Sequence, residues 1–106
     1  MWYIVLSRAK AGMAEDQRTH YEEHRLWLEE QHKAGRLLFS GPTTDGAYGI
    51  YIMLASSIDE ARSIAAQDSH HRRGIRTMEV LEWDPRRAFC MDKYTISDVE
   101  QMARGR

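Results

Sequence analysis

The chain has 106 residues, 42% of them hydrophobic, which suffices for one domain with a single core and is too few for two. Fifteen Lys+Arg stand against 16 Asp+Glu, a formal net charge of -1, and the charges are spread along the chain, so no global field favours nucleic acid or an anionic membrane. One cysteine, Cys90, rules out an internal disulfide framework and fits a reducing compartment; the apolar stretches are far shorter than a bilayer span, and Met1 to Leu6 lacks a signal-peptide pattern, so the expected location is cytoplasmic.

Trp2 to Arg8 is rich in aromatic and β-branched residues and runs into Ala9-Lys10-Ala11-Gly12, which predicts a strand ending in a loop. From about Gln17 to Ala34 the spacing turns helical. His20, Tyr21, His24, Trp27, Leu28 and Gln31 recur every three or four residues, with Glu22, Glu29, Glu30 and Lys33 elsewhere around the cylinder. Gly35 reads as the residue after the cap, with His32 and Lys33 suited to the negative helix end. Arg36 to Ser40 and Tyr48 to Leu54 are two further strands, joined through Thr43-Thr44-Asp45-Gly46 as a hairpin.

Ser57-Ile58-Asp59-Glu60 has the pattern of a capping box and starts a second helix. Its apolar stripe is Ile58, Ala61, Ile64 and Ala65, and the same spacing brings Asp68 to that side at the C-terminal end. A carboxylate there is conspicuous, because both the apolar face and the negative helix end disfavour it. After Gly74, Ile75 to Trp83 predicts a fourth strand, ended by Pro85. Ser97-Asp98-Val99-Glu100 offers another capping box, for a terminal helix from about Asp98 to Ala103.

The resulting order, β-α-β-β-α-β, is that of the ferredoxin-like α+β arrangement: a four-stranded antiparallel sheet with two helices on one face. The other face needs a cover, either a second subunit or the tail from Arg86 onward. We therefore expect an α+β domain over 1–84 and a C-terminal extension over 85–106 that packs on the domain or on a partner subunit.

His24 and Asp68 are the candidate reactive pair. A histidine exchanges protons near neutral pH, and a neighbouring carboxylate fixes its tautomer and favours its protonated form. A histidine on an apolar stripe is also commonly a hydrogen-bonded core residue, and spacing alone does not bring the two helices together. Arg8, Ser40, Arg72 and Arg73 are candidate oxyanion donors or anion contacts, although a solvated strand end, a turn hydrogen bond and an exposed basic loop would explain them equally. His20, one turn before His24, is expected to face the same cavity. With Asp68 or His70 it would supply borderline metal ligands, but no Cys pair or His-Glu-x-x-His spacing supports a metal, and none is expected. His70-His71 read as a polar loop. Trp2, Trp27, Trp83, Tyr3, Tyr48 and Tyr51 are pocket candidates whose ordinary use is core and interface packing. Cys90 reads as a packed thiol. The Lys/Arg-Gly-aromatic signature of ferredoxin-like RNA binders is absent, so no nucleic-acid partner is expected.

The run His24-Arg25-Leu26-Trp27-Leu28-Glu29-Glu30-Gln31-His32-Lys33-Ala34-Gly35-Arg36-Leu37-Leu38-Phe39-Ser40-Gly41-Pro42 resembles the YCII-related family: a His opening the segment, an aromatic-Leu pair, a Gly, and a strand ending in Gly-Pro. Gly49, the Ile58 to Ala66 helix, Asp68, Gly74 and the Glu79 to Trp83 strand fall where that family has counterparts, so the resemblance spans about residues 1 to 84. It implies a dimeric α+β barrel, a His/Asp site carried by His24 and Asp68, and kinship with muconolactone isomerase-like proteins and a chlorohydroxyhydroquinone dehydrochlorinase. The chain departs from the family at Ser69 to Arg73, where Asp-Pro-aromatic is usual, and at Gln31, where an apolar residue is usual. The function so implied is a cofactor-independent lyase or isomerase acting on a small oxygenated ring or lactone. The rival readings are a non-catalytic dimeric ligand-binding domain and, further off, a cofactor-free monooxygenase or haem-handling protein.

Overall fold

The computed structural model describes residues 1–105, so Arg106, the last position of the expected extension, lies outside the described residues. Four strands, β1 (Trp2–Ala9), β2 (Leu37–Pro42), β3 (Tyr48–Leu54) and β4 (Arg76–Trp83), form one sheet in the order β2-β3-β1-β4 with every neighbour antiparallel. Helices α2 (Tyr21–Lys33) and α3 (Ile58–Ala66) cover one face of it. This is the ferredoxin-like α+β arrangement.

The strand alternation decides what meets the helices. Tyr3, Val5 and Ser7 of β1 point inward and are at most 1% exposed, whereas Trp2, Ile4, Leu6 and Arg8 point to the opposite face. Register carries the division across the sheet: Tyr3 pairs with Met53, Val5 with Tyr51 and Val80, Ser7 with Gly49 and Met78. Tyr3, Val5, Tyr51, Met53 and Leu37 of the sheet form the core with Trp27 of α2 and Ala61, Ile64 and Ala65 of α3, and Met78 and Val80 pack partly buried against it. Gln31, the polar member of the α2 stripe, is buried with them.

The helical periodicity read from Gln17 to Ala34 is two helices rather than one. Helix α1 (Ala14–Thr19) ends where the Thr19 hydroxyl donates back to Glu15 O at 3.0 Å, and His20 leaves helical geometry at φ -104° and ψ 15°. The stripe survives the break because His24 N–H still donates to His20 O. Strand β2 runs on through Gly41-Pro42, pairing with Ile50 and Gly49, and a proline is tolerated there because β2 is an edge strand.

The Ser57 hydroxyl accepts from Glu60 N–H as expected, but the Glu60 carboxylate accepts from Ser56 N–H and Ser56 Oγ, not from Ser57 N–H. The terminal helix α5 (Ile96–Arg104) starts two residues earlier than the sequence suggested, with Thr95 and Asp98 as its reciprocal capping box. It returns to the domain: Ala103 O lies 2.3 Å from where a Cβ on Gly35 would stand, and Glu100 accepts from the Met1 ammonium at 3.2 Å. Among the described residues no helix is long and apolar enough to cross a membrane.

Candidate active site

Asp68 is not the last residue of the second helix. Helix α3 ends at Ala66, Gln67 caps it, and Asp68 is the N-cap of a short turn of helix, α4 (Ser69–Arg72). The sequence puzzle of a carboxylate at a negative helix end is thereby resolved, since Asp68 serves the positive end of the next element. Its side chain is fully buried and every polar contact is charge-assisted: Oδ1 accepts from His24 Nδ1 at 2.8 Å and from His70 N–H at 3.0 Å, and Oδ2 accepts from the Tyr51 hydroxyl at 2.6 Å. Burial pushes the carboxyl upward, but these three donors and the charge on His24 outweigh it and hold Asp68 below the usual carboxylate range. The reciprocal effect falls on Tyr51, whose phenol is pushed far up by burial and by the Asp68 charge and stays protonated.

An ionised carboxylate has no proton to offer, so the Nδ1 of His24 carries the hydrogen in the Asp68 contact. In the neutral ring the lone pair is therefore on Nε2, which makes no hydrogen bond among the described residues. The ring is 15% exposed and lines a cavity of about 370 Å³ between α2, the inner face of β1 and β3, and the β2–β3 hairpin. Against its inner side His70 lies in parallel, the ring centroids 4.4 Å apart and the planes 7° from one another. His70 is 4% exposed. Burial first, and then the charge of His24, push its pKa down, although Asp68 pulls the other way. Two stacked imidazoles cannot both be charged cheaply, and the fold disfavours the charged form of His70.

His24, Asp68 and His70 bring their ligand-type atoms within 4.8 Å of one another. Metal coordination would need in-plane lone pairs that converge, whereas rings this nearly parallel direct theirs along separate planes. Both Asp68 oxygens are also engaged. The hydrogen bonds that join the three run from His24 Nδ1 and from the His70 backbone N–H to Asp68, and the two rings stack.

The other candidates divide. Ser40 lines the cavity, with its hydroxyl in a 2.8 Å contact with His32 Nε2. Arg8 lies on the opposite face of the sheet, as the alternation of β1 requires once Ser7 points inward, and it donates to the Tyr48 hydroxyl. His20 does not line the cavity; its Nδ1 lies 3.4 Å from Glu23. Arg73, which caps the end of α4, donates to the same Glu23 at 2.9 Å, with Arg72 beside it at 3.5 Å. His20, Arg72 and Arg73 thus form a surface charge cluster instead of a cavity wall. His70-His71 belong to α4, not to a loop. Of the aromatic candidates, the Tyr51 ring reaches the cavity, while Tyr48, the cross-strand partner of Arg8, puts its ring on the other face under the Arg8 guanidinium, where Trp2 and Trp83 also stack edge-on, and Trp27 packs behind Tyr51.

Sequence reasoning gave no site role to Ser7, Gln17 or Arg76, and named Gly49 only for the family resemblance; all four line the cavity. Arg76 opens β4 on the inner face, and its signal was its two-residue spacing from Met78 and Val80, both packed on the core. The side chain crosses β1 to donate from Nε to Ser7 Oγ at 2.6 Å, from Nη2 to Ser7 O at 2.9 Å and from Nη1 to Gln17 Oε1 at 2.9 Å.

The 5-chloro-2-hydroxyhydroquinone dehydrochlorinase TftG of Burkholderia phenoliruptrix AC1100, solved in complex with 2,5-dihydroxybenzoquinone, superposes with a TM-score of 0.68 at 24% identity, covering 79% of this chain and 94% of its own. That likeness establishes the shared fold. Protein Atu4242 of Agrobacterium tumefaciens aligns over 84% of this chain and 96% of its own at 16% identity and a TM-score of 0.42. No curated protein sequence matches significantly. The pattern of the YCII-related domain matches residues 1–84, so the chain belongs to the YCII-related domain family.

Proposed function

We propose that this protein is a cofactor-independent acid–base catalyst, a lyase or isomerase acting on a small oxygenated ring or lactone, with His24 as the proton-transferring group and Asp68 as the residue that orients it. The observation that carries the reading is the 2.8 Å contact of His24 Nδ1 with the buried carboxylate of Asp68: an ionised Asp68 takes the Nδ1 hydrogen and leaves Nε2 as the free lone pair of a ring that lines the cavity. In a dehydrochlorination of a hydroquinone the ring first ketonises, losing one hydroxyl proton and gaining one on the chlorine-bearing carbon. Nε2 then accepts a second hydroxyl proton, the released O–H pair forms C=O, the ring double bond shifts to the chlorine-bearing carbon, and chloride leaves with the C–Cl pair. No external oxidant or reductant is needed. Isomerisation of a lactone double bond uses the same group twice, first as base and then as acid. The fold shared with a dehydrochlorinase supports the class of reaction, and the cavity volume suits one substituted ring.

A second copy of the chain is proposed as the cover of the open sheet face. Trp2, Ile4, Leu6, Phe39, Leu81 and Trp83 lie on it, with Phe39 73% exposed and Leu81 and Trp83 each 40% exposed. Arg8 and Glu79 on the same face supply both signs of charge that a two-fold pairing can match. Light scattering at micromolar concentration is expected to give twice the chain mass, and a monomer would contradict the proposal.

The catalytic reading is tested by offering the purified protein 5-chloro-2-hydroxyhydroquinone and, separately, muconolactone. Chloride release or double-bond migration above the uncatalysed rate is the expected result. Saturable binding of both compounds with no product in a single-turnover experiment would instead favour a ligand-binding protein.

A further inference from the structure

A guanidinium has five N–H donors and is always charged. In Arg76 three are used, by Ser7 Oγ, Ser7 O and Gln17 Oε1, and all three acceptors are neutral. One N–H on each terminal nitrogen remains. Among the described residues no carboxylate pairs with Arg76, nor with Arg18 of α1, whereas Arg25, Arg72 and Arg73 are each paired with a glutamate. A partly buried positive charge with fixed orientation and no counter-ion is an arrangement that attracts an anion.

The surroundings keep the charge open to the cavity. Gly49 sits on β3 beside Arg76, and a Cβ placed on it would lie 3.5 Å from Ser7 Cβ and 4.0 Å from Arg76 Nη2. A side chain larger than methyl at that position would stand over the guanidinium. His24 and Arg76 both line the same cavity, and the Arg76 charge is felt by Tyr51 and by His70, the two groups that flank the His24–Asp68 pair.

We infer that Arg76 is the anion contact of this cavity, and that the ligand it takes is a ring or lactone bearing an anionic oxygen, a phenolate, enolate or carboxylate, bound with that oxygen on the guanidinium and the ring toward His24. This deepens the proposed function and rests on its placing of the reaction in this cavity. When His24 removes a proton from a ring hydroxyl or an activated carbon, the negative charge left behind is delocalised onto oxygen, and a fixed guanidinium is the group that stabilises it there. The two ends of the cavity then have separate tasks: proton transfer at His24, charge stabilisation at Arg76.

The test reads ionisation of a bound dye and needs no turnover. 4-Nitrophenol is titrated against the folded protein by absorbance, since its anion is yellow and its neutral form is not. The expected result is that the anion binds at least about tenfold more tightly than the neutral form, so the bound dye ionises at lower pH than the free dye. Arg76→Gln is expected to abolish the preference. Gly49→Val, which keeps Arg76 and its three hydrogen bonds, is expected to weaken the anion selectively and serves if Arg76→Gln does not fold. His24→Gln is expected to retain the preference while losing turnover, so a failure of the catalytic reading and a failure of this one look different. Equal affinity for the two forms, no dye binding, a preference that survives Arg76→Gln, or one that disappears in His24→Gln alone would overturn the assignment.

Discussion

His24 and His70 are held face to face by a single atom: Asp68 Oδ1 accepts the side-chain N–H of the first and the backbone N–H of the second. The stack is therefore a consequence of the cap. Moving Asp68 would shift the donor that orients His24 and the start of the helix that carries His70 together, so the two rings are expected to respond as a unit.

His70 is the member with the depressed pKa, which fixes the sign of its contribution. The neutral ring is favoured in the folded state, so stability is complete above the unfolded value of about 6.5 and is lost as pH falls through the lower folded value. His70→Phe keeps a flat ring against His24 and removes the titration. Urea unfolding at a series of pH values is expected to show a flatter dependence below about pH 6.5 than in the parent. An unchanged slope would remove His70 from the account of acid sensitivity.

Asp68 acts in a lower window. Its folded pKa is lowered, so the stability it supplies is present above the unfolded value of about 3.9 and disappears as pH falls through the folded one. Asp68→Asn takes away the charge that His24 and Tyr51 address. A loss on the order of 3 kcal/mol is expected near neutral pH, narrowing as the parent is acidified. Chemical denaturation at two pH values measures it, and a loss equal at both would contradict the electrostatic origin.

Tyr51→Phe removes one donor from the same carboxylate without changing the ring that packs on Trp27. A hydrogen bond to a buried charge contributes about 2 kcal/mol. The variant is expected to be destabilised by that amount, with Asp68 titrating at higher pH, a shift readable by carboxyl NMR. An Asp68 resonance that does not move would show that Tyr51 plays no part in keeping the carboxylate ionised.

Gly35 tests the attachment of the C-terminal helix. Its φ of +73° and the close approach of Ala103 O leave no room for a side chain. Gly35→Ala is expected to cost more than about 1 kcal/mol and to raise amide exchange in α5 well above that in the sheet. Equal protection of α5 in both proteins would mean that the contact does not hold the helix.

The sheet and its two covering helices were legible because each rests on local pattern: alternation in Trp2 to Arg8, three- and four-residue spacing up to Gly35, a capping serine at Ser57. The His24–Asp68 pair was legible because polar residues on buried stripes stand out, though that stripe misassigned Asp68 to the end of one helix when it begins another. The rest depended on pairing. Nothing within β1 says whether Ser7 or Arg8 faces the helices until β1 is registered against β3 and β4, and that register placed Arg76, not Arg8, at the cavity. His20 keeps its place on the stripe but its ring engages Glu23 at the surface, a partner that periodicity does not show.

The most direct test of the central claim is the turnover of His24→Gln on a substrate that the parent protein converts, measured with its circular dichroism and oligomeric state matched to the parent. The amide preserves a donor toward Asp68 and removes the proton-accepting nitrogen. The account predicts a fall of about 10²–10⁴-fold in kcat with the fold retained. Turnover at the parent rate would contradict it.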